Sequence, residues 1–370
     1  MVEERAGRYE LLDAIRGIAI LMVIGLHFGE RGVGSGDQLI HSRVWPVLHH
    51  AYLGVQFFFV ISGYCIASAV QNAIERNLSG VDFLKRRFRR IFPPYWASMI
   101  FVVLLGFLTI TALHTDVSTV FPLQPWEWLA NVFLLQGPLQ AQDANLVYWS
   151  LSIELQFYFL MAVGVVVKEK SFLWITVLSL AVPMLLWIDC LPGNGWVFTY
   201  WAEFLSGIAA WYWLRQEKIR GSMLLLICLA IITLNFQLEP GWLRQDGGLT
   251  RAPRQLVCIL LSIVIITLAP ISHWLVTRRL TSGLQWIGLI SYSLYLTHVP
   301  IGTRVFNLGF RLFGNNGVTW LWLFFLALFS SLLLGWIFHC RFEKPWLQSL
   351  HKSRQKPRQS DSNITSVIER

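Results

Sequence analysis

An arginine and a histidine share one apolar stretch near the amino terminus: Arg16 and His27, in LLDAIRGIAILMVIGLHF, with no charged residue between them. Eleven positions make about three helical turns, so on a helix both side chains leave the same face about 16 Å apart along the axis. The pair would present a fixed cation at one depth and a titratable base at another. A charge at membrane depth costs about 2.5–3.5 kcal/mol on insertion scales, so such residues usually persist for function. The plainer alternative is that Arg16 snorkels to the surface and His27 hydrogen-bonds a backbone carbonyl. Three more titratable groups lie inside apolar strings: Glu154 in YWSLSIELQFYF, Glu203 in TYWAEFLSGIAAW and His298 in SYSLYLTHVP. Acids and imidazoles buried together shift one another's pKa and form proton-transfer pairs. Taken singly, either glutamate could brace two helices as a neutral acid, and His298, close before Pro300, could satisfy carbonyls freed by a helix break.

A second charged constellation is FLKRRFRRIFPPYW, Phe83 to Trp96, with five basic residues in the six positions from Lys85 to Arg90. Pro93 and Pro94 mark the expected start of an apolar span. Such a run is either a topogenic anchor or a phosphate clamp. Arg87 and Arg90 are three apart, adjacent on a helix face, and paired guanidinium forks suit the phosphates of a nucleotide-like cofactor.

What must position these groups is a membrane bundle. The 370 residues are 55% hydrophobic and only 14% charged, with 18 Trp and a mean hydropathy of +0.53, the composition of a polytopic membrane protein. About ten apolar segments are long enough to span a hydrocarbon core of about 30 Å, centred near residues 20, 60, 103, 158, 181, 206, 230, 262, 294 and 329. The fold class is therefore an all-α, multi-pass integral membrane bundle. The first segment has acidic residues upstream and no small-residue cleavage site after it, so it is a retained helix. Distributing the basic residues over ten spans with the amino terminus inside places 23 of the 30 Lys and Arg on the inner side. The positive-inside rule then puts both termini in the cytoplasm. The loop with Arg244, Arg251 and Arg254 runs against that rule, at the seventh and eighth spans. In this frame His27 lies in the outer third of its span, Glu154 about 8 Å below the outer end of the fourth, Glu203 at a similar depth on the sixth, and His298 near the outer end of the ninth: one layer of four titratable groups. The five cysteines lie in or beside apolar spans and show no metal-ligand spacing, so packing roles and no metal site are expected. Nothing points to nucleic acid. Residues 1–345 form one membrane domain, and 346–370 a basic, disordered cytoplasmic tail.

The chain resembles the acyltransferase-3 integral membrane acyltransferases. The strings that carry the likeness run in the family's order over nearly the whole chain: LDAIRGIAILMVIGLH with its Arg-x10-His, FFFVISGY, RRFRRIFPPYW with its Arg-x-x-Arg, YWSLSIELQFYF, AEFLSGIAA and SYSLYLTHVPI. The resemblance implies transfer of an acyl group, acetyl above all, from acyl-CoA to a carbohydrate hydroxyl at the plasma (inner) membrane, in polysaccharide or glycoconjugate assembly. It implies Arg16 and His27 as the essential first-helix pair, Arg87 and Arg90 as the acyl-CoA motif, and Glu154 as the fourth-span acid. It also implies a stand-alone member, without the extracytoplasmic SGNH-type esterase domain of some relatives.

The resulting expectation is that acyl-CoA docks from the cytoplasm on Arg86, Arg87 and Arg90, with Arg16 near its phosphates. His27, polarised by Glu154, acts as general base on the acceptor hydroxyl. Glu203, His298 and Tyr292 line the acceptor side or relay the proton. The alternative from another class is a proton-coupled transporter of a glycolipid or sugar, which would also need His, Glu and Arg on broken helices.

Overall fold

The computed structural model describes residues 11–33, 40–113, 121–187, 195–239, 241 and 248–348. Among them there is no β-strand. The longer helices are α1 (Leu11–Val33), α2 (Leu53–Glu75), α3 (Gly80–Leu113), α4 (Tyr148–Val166), α5 (Ser171–Trp187), α6 (Trp201–Leu214), α7 (Lys218–Leu238), α8 (Arg251–Leu268), α9 (Ser291–Phe313) and α10 (Gly317–Phe338). Seven described stretches, containing α1, α2, α3, α4, α7, α8 and α10, are long and apolar enough to cross a membrane. The other three expected segments are helical but do not qualify alone. At 17 and 14 residues, α5 and α6 reach only about 26 and 21 Å, and α9 carries His298, Arg304 and Arg311. Of the expected tail, 346–348 continue the last helical stretch to Gln348, and 349–370 lie outside the described residues, as do residues 1–10 at the other terminus.

The short α6 is the hub. Every residue from Trp201 to Tyr212 is buried, and α2, α7 and α8 pack around it. Two glycines let α2 and α6 meet backbone to backbone: a Cβ on Gly63 would overlap the Phe204 carbonyl, and one on Gly207 the Val60 carbonyl. Small residues at such crossings are what allow close packing where lipid gives no hydrophobic drive. At the periphery, Trp322, Phe325, Phe329 and Trp336 of α10 stay exposed, the apolar face that acyl chains cover.

The arginine-rich segment does not stop at the prolines. α3 runs unbroken from Gly80 through Pro93 and Pro94, so the expected span start is an interior position. Pro93 has no N–H for the Arg89 carbonyl, and the Trp346 indole N–H donates to that carbonyl instead. The same repair recurs in α9. Pro300 leaves the Leu296 carbonyl free, and Asn145 Nδ2 donates to it at 3.1 Å. The bland role foreseen for His298 at this break thus falls to Asn145.

Candidate functional site

Arg16 is set by a tight crossing. The short helix Arg279–Leu289 lies on α1 so closely that a Cβ on Gly288 would overlap the Asp13 carbonyl and one on Gly17 the Leu284 carbonyl. From there the guanidinium reaches Asp13 Oδ1 and Cys65 Sγ, each at 3.5 Å. It opens onto a basic vestibule of about 610 Å³, lined also by Arg76, Arg86, Arg87, Arg90 and Glu343. Arg87 is held under aromatic rings, its guanidinium 5.5 Å from the Phe83 centroid and 5.8 Å from that of Tyr158, a desolvated cation–π arrangement. A narrower cavity of about 140 Å³ continues inward, bounded by Arg16, Arg87, Arg90, Glu154, Tyr292 and Tyr295 among others. Glu154 Oε1 accepts from Ser62 Oγ at 2.7 Å and from Tyr158 OH at 2.6 Å. Tyr292 OH donates to the Ile91 carbonyl at 2.9 Å. Arg86, Arg87, Arg90, Arg16, Glu154 and Tyr292 therefore gather around one connected space.

His27 sits elsewhere. It lines a cavity of about 260 Å³ with Glu30, Arg31, Thr303 and apolar neighbours. Its Nδ1 is 3.5 Å from Glu30 Oε2, and its ring centroid is 5.5 Å from that of His298. His298 is fully buried, and its Nδ1 lies 2.9 Å from the Leu294 carbonyl and 3.0 Å from the Tyr295 carbonyl. Carbonyls only accept, so Nδ1 carries the proton and Nε2 keeps its lone pair. That Nε2 has no hydrogen-bond partner. Tyr295 lines the narrow cavity, its ring is 6.0 Å from His298, and its hydroxyl is fixed 2.6 Å from Ser150 Oγ.

The fold does not bring the four groups into one space. Glu154 does not line the His27 cavity. Helical rise orders groups along an axis but does not say which of them face one another across a bundle. Glu203 is in a third place, 3.5 Å from Arg254 Nε and 3.4 Å from Gln255 Nε2, with Asn235 bonded to Gln255 behind it. This pairing, with Arg251 3.1 Å from Glu239, gives a reason for two of the arginines that defied the charge rule, Arg251 and Arg254; Arg244 lies outside the described residues. Trp201, on the same helix as Glu203, is core, donating to Ser179 Oγ at 2.9 Å.

Several groups at the two cavities escaped sequence reading. Tyr158 is four residues after Glu154, the spacing of an i,i+4 pair, but the string read only as apolar. Cys65, expected to be packing, lines the vestibule beside Arg16. Glu343 lines both the vestibule and the narrow cavity, accepting from Ser293 Oγ at 2.6 Å with His339 Nδ1 at 2.9 Å; its HCRFE string carried no recognisable motif. Among the described residues no three His, Cys, Asp or Glu side chains gather as metal ligands.

Residues 9–340 match a family model described as an acyltransferase domain, and the chain belongs to this acyltransferase-3 family. It is 29% identical over 325 residues to the peptidoglycan O-acetyltransferase OatA of Listeria monocytogenes, covering 79% of this chain and 49% of that protein. It is 24% identical over 323 residues to a Bacillus subtilis protein provisionally named a peptidoglycan O-acetyltransferase, covering 78% and 48%. A Staphylococcus aureus protein provisionally named an O-acetyltransferase matches at 26% over 331 residues, covering 78% and 50%. The chain spans about half the length of these relatives. No solved structure matches it.

Proposed function

We propose that the chain is a membrane O-acyltransferase that takes an acyl group, acetyl by analogy with its relatives, from acyl-CoA and passes it to a hydroxyl of a carbohydrate or glycoconjugate. The observation that carries this reading is that one helix, α1, serves both spaces: Arg16 lines the arginine vestibule and His27 the other cavity. The excess of basic residues at the Arg16 end supports a cytoplasmic vestibule in the plasma membrane, the side on which acyl-CoA is made. There Arg86, Arg87 and Arg90 meet the phosphates with charge-assisted bonds, and the acyl-pantetheine arm enters the narrow cavity past Glu154.

Transfer requires the thioester carbonyl to pass Tyr295 and meet the acceptor hydroxyl at the imidazole pair. The hydroxyl oxygen attacks the carbonyl carbon, the C–S bond breaks, and the hydroxyl proton passes through imidazole to the departing sulfur, leaving an ester and CoA thiol. His27 is the general base. His298, locked with its Nε2 lone pair free, positions His27 or the hydroxyl. Glu154 acts on the donor side, ordering the Tyr158 hydroxyl and balancing Arg16 and Arg87, rather than polarising His27. Acetyl-CoA carrying a labelled acetyl group, incubated with the purified protein and surface glycans, should label glycan hydroxyls in the wild type and not in His27→Ala. Movement of glycan across a vesicle membrane without label incorporation would replace the enzyme reading with a transporter.

A further inference from the structure

α1 carries one more charged group in the His27 region: Arg31, four residues on and so on the same helix face. Across a cavity of about 300 Å³ stands Arg304 of α9, with Thr109, Asn145, Thr303 and Asn307 also on the walls. This cavity adjoins that of His27, sharing Arg31, Leu146, Val299 and Thr303 with it. Neither arginine has a carboxylate in ion-pair range among the described residues. Arg16, Arg215, Arg220, Arg251 and Arg254 each have one. Arg31 donates to Thr303 Oγ1 at 3.1 Å, and Arg304 to Thr109 Oγ1 at 3.1 Å and the Pro300 carbonyl at 3.3 Å. These neutral oxygens use three of the ten N–H donors that two guanidinium groups carry. The two charges are near enough to repel each other, and Glu30, the acid in the adjoining cavity, is directed at His27. Two uncompensated cations also stand on the side where arginine is disfavoured by topology.

We propose that Arg31 and Arg304 form an anion site that grips a carboxylate or phosphate on the acyl acceptor, holding a nearby hydroxyl against His27. The acceptor is thus an acidic glycan rather than a neutral one. Bidentate guanidinium recognition suits either oxyanion, and placement of the reacting hydroxyl is what such a clamp contributes to catalysis. The role in acyl transfer rests on the function proposed above; the anion binding does not.

The test uses the full chain in nanodiscs, in an Arg87→Ala/Arg90→Ala background that weakens anion binding in the vestibule, with calorimetric titration of inorganic phosphate, glucuronate and neutral glucose. Phosphate or glucuronate should bind and glucose should not. Arg31→Gln and Arg304→Gln should each weaken the anion about tenfold or more, the scale of a charged hydrogen bond, while Arg31→Lys, which keeps the charge but not the fork, should weaken it less than Arg31→Gln and checks that the fold is intact. Binding of phosphate alone assigns a phosphorylated acceptor, and of glucuronate alone a uronic acid. Anion affinity unchanged by both Gln variants, or absent from the parent, overturns the site. If anion binding depends on both arginines but no acetyl label ever reaches any glycan, the site stands and the transferase reading falls.

Discussion

Glu154 and Glu203 are both carried on apolar helices that pack against α2, yet they end in opposite situations. Glu154 is partly exposed, and one of its oxygens takes two hydroxyl donors while the residue lines an open cavity with Arg16, Arg87 and Arg90. Glu203 is fully enclosed, set against Arg254 and Gln255. The difference teaches that burial of a charge does not mark a site. What marks it is a polar group turned toward a space that a ligand can fill, as Glu154 and His27 are, each lining a cavity. A closed pair instead ties helices together and gains little net stability, while being costly to break.

Substitutions can break or sharpen that contrast. The largest effect is expected at the open imidazole: His27→Ala should lower turnover about 10²–10⁴-fold, the usual worth of a general base, with normal membrane accumulation; loss of accumulation would make it structural. At the closed pair, Arg254→Ala should cost about 3–5 kcal/mol of stability by leaving Glu203 without its cation, read as a lower thermal midpoint in detergent, with kcat per folded molecule unchanged. A kcat defect in the folded fraction would return Glu203 and Arg254 to the site. Next, Arg87→Ala should raise KM for acyl-CoA about tenfold, the loss of one charge-assisted contact, with acceptor KM unmoved; equal changes in both would make the arginine run a topogenic anchor. The smallest effect concerns Asp143, in the loop before α4, whose carboxyl burial pushes up to about 6. Because the fold favours its neutral form, the contribution to stability is full below about pH 4 and is lost as pH rises through 6. Asp143→Asn should flatten the fall in thermal midpoint between pH 4 and 6, and an unaltered slope would exclude it.

Much of this was written in the chain. All ten apolar segments are helices, because their length and hydropathy leave the backbone no other way to satisfy its hydrogen bonds in lipid. The grouping of Arg16, Arg87 and Arg90 follows from motifs that sit at one end of their helices. The histidine pair was half legible, since both residues were singled out but their direct contact was not. What failed was grouping. Helical rise orders residues along an axis and not around a bundle, so residue counting put Glu154 and Glu203 with the histidines, and no periodicity in WAEFLSGIAAW distinguishes a helix enclosed by protein from one facing lipid. Partner identity failed for the same reason. Arg254 lies 51 positions from Glu203 and Asn145 lies 151 from Leu296, and only the packed fold brings them together.

The central claim is that donor and acceptor enter from opposite ends of α1. It is tested most directly in proteoliposomes holding the protein in one orientation, with labelled acetyl-CoA confined to the Arg16 side and an acidic glycan to the His27 side. The account predicts label on the outside glycan, abolished by His27→Ala, and none when the two compartments are exchanged. Label appearing only when both substrates share one compartment would contradict it.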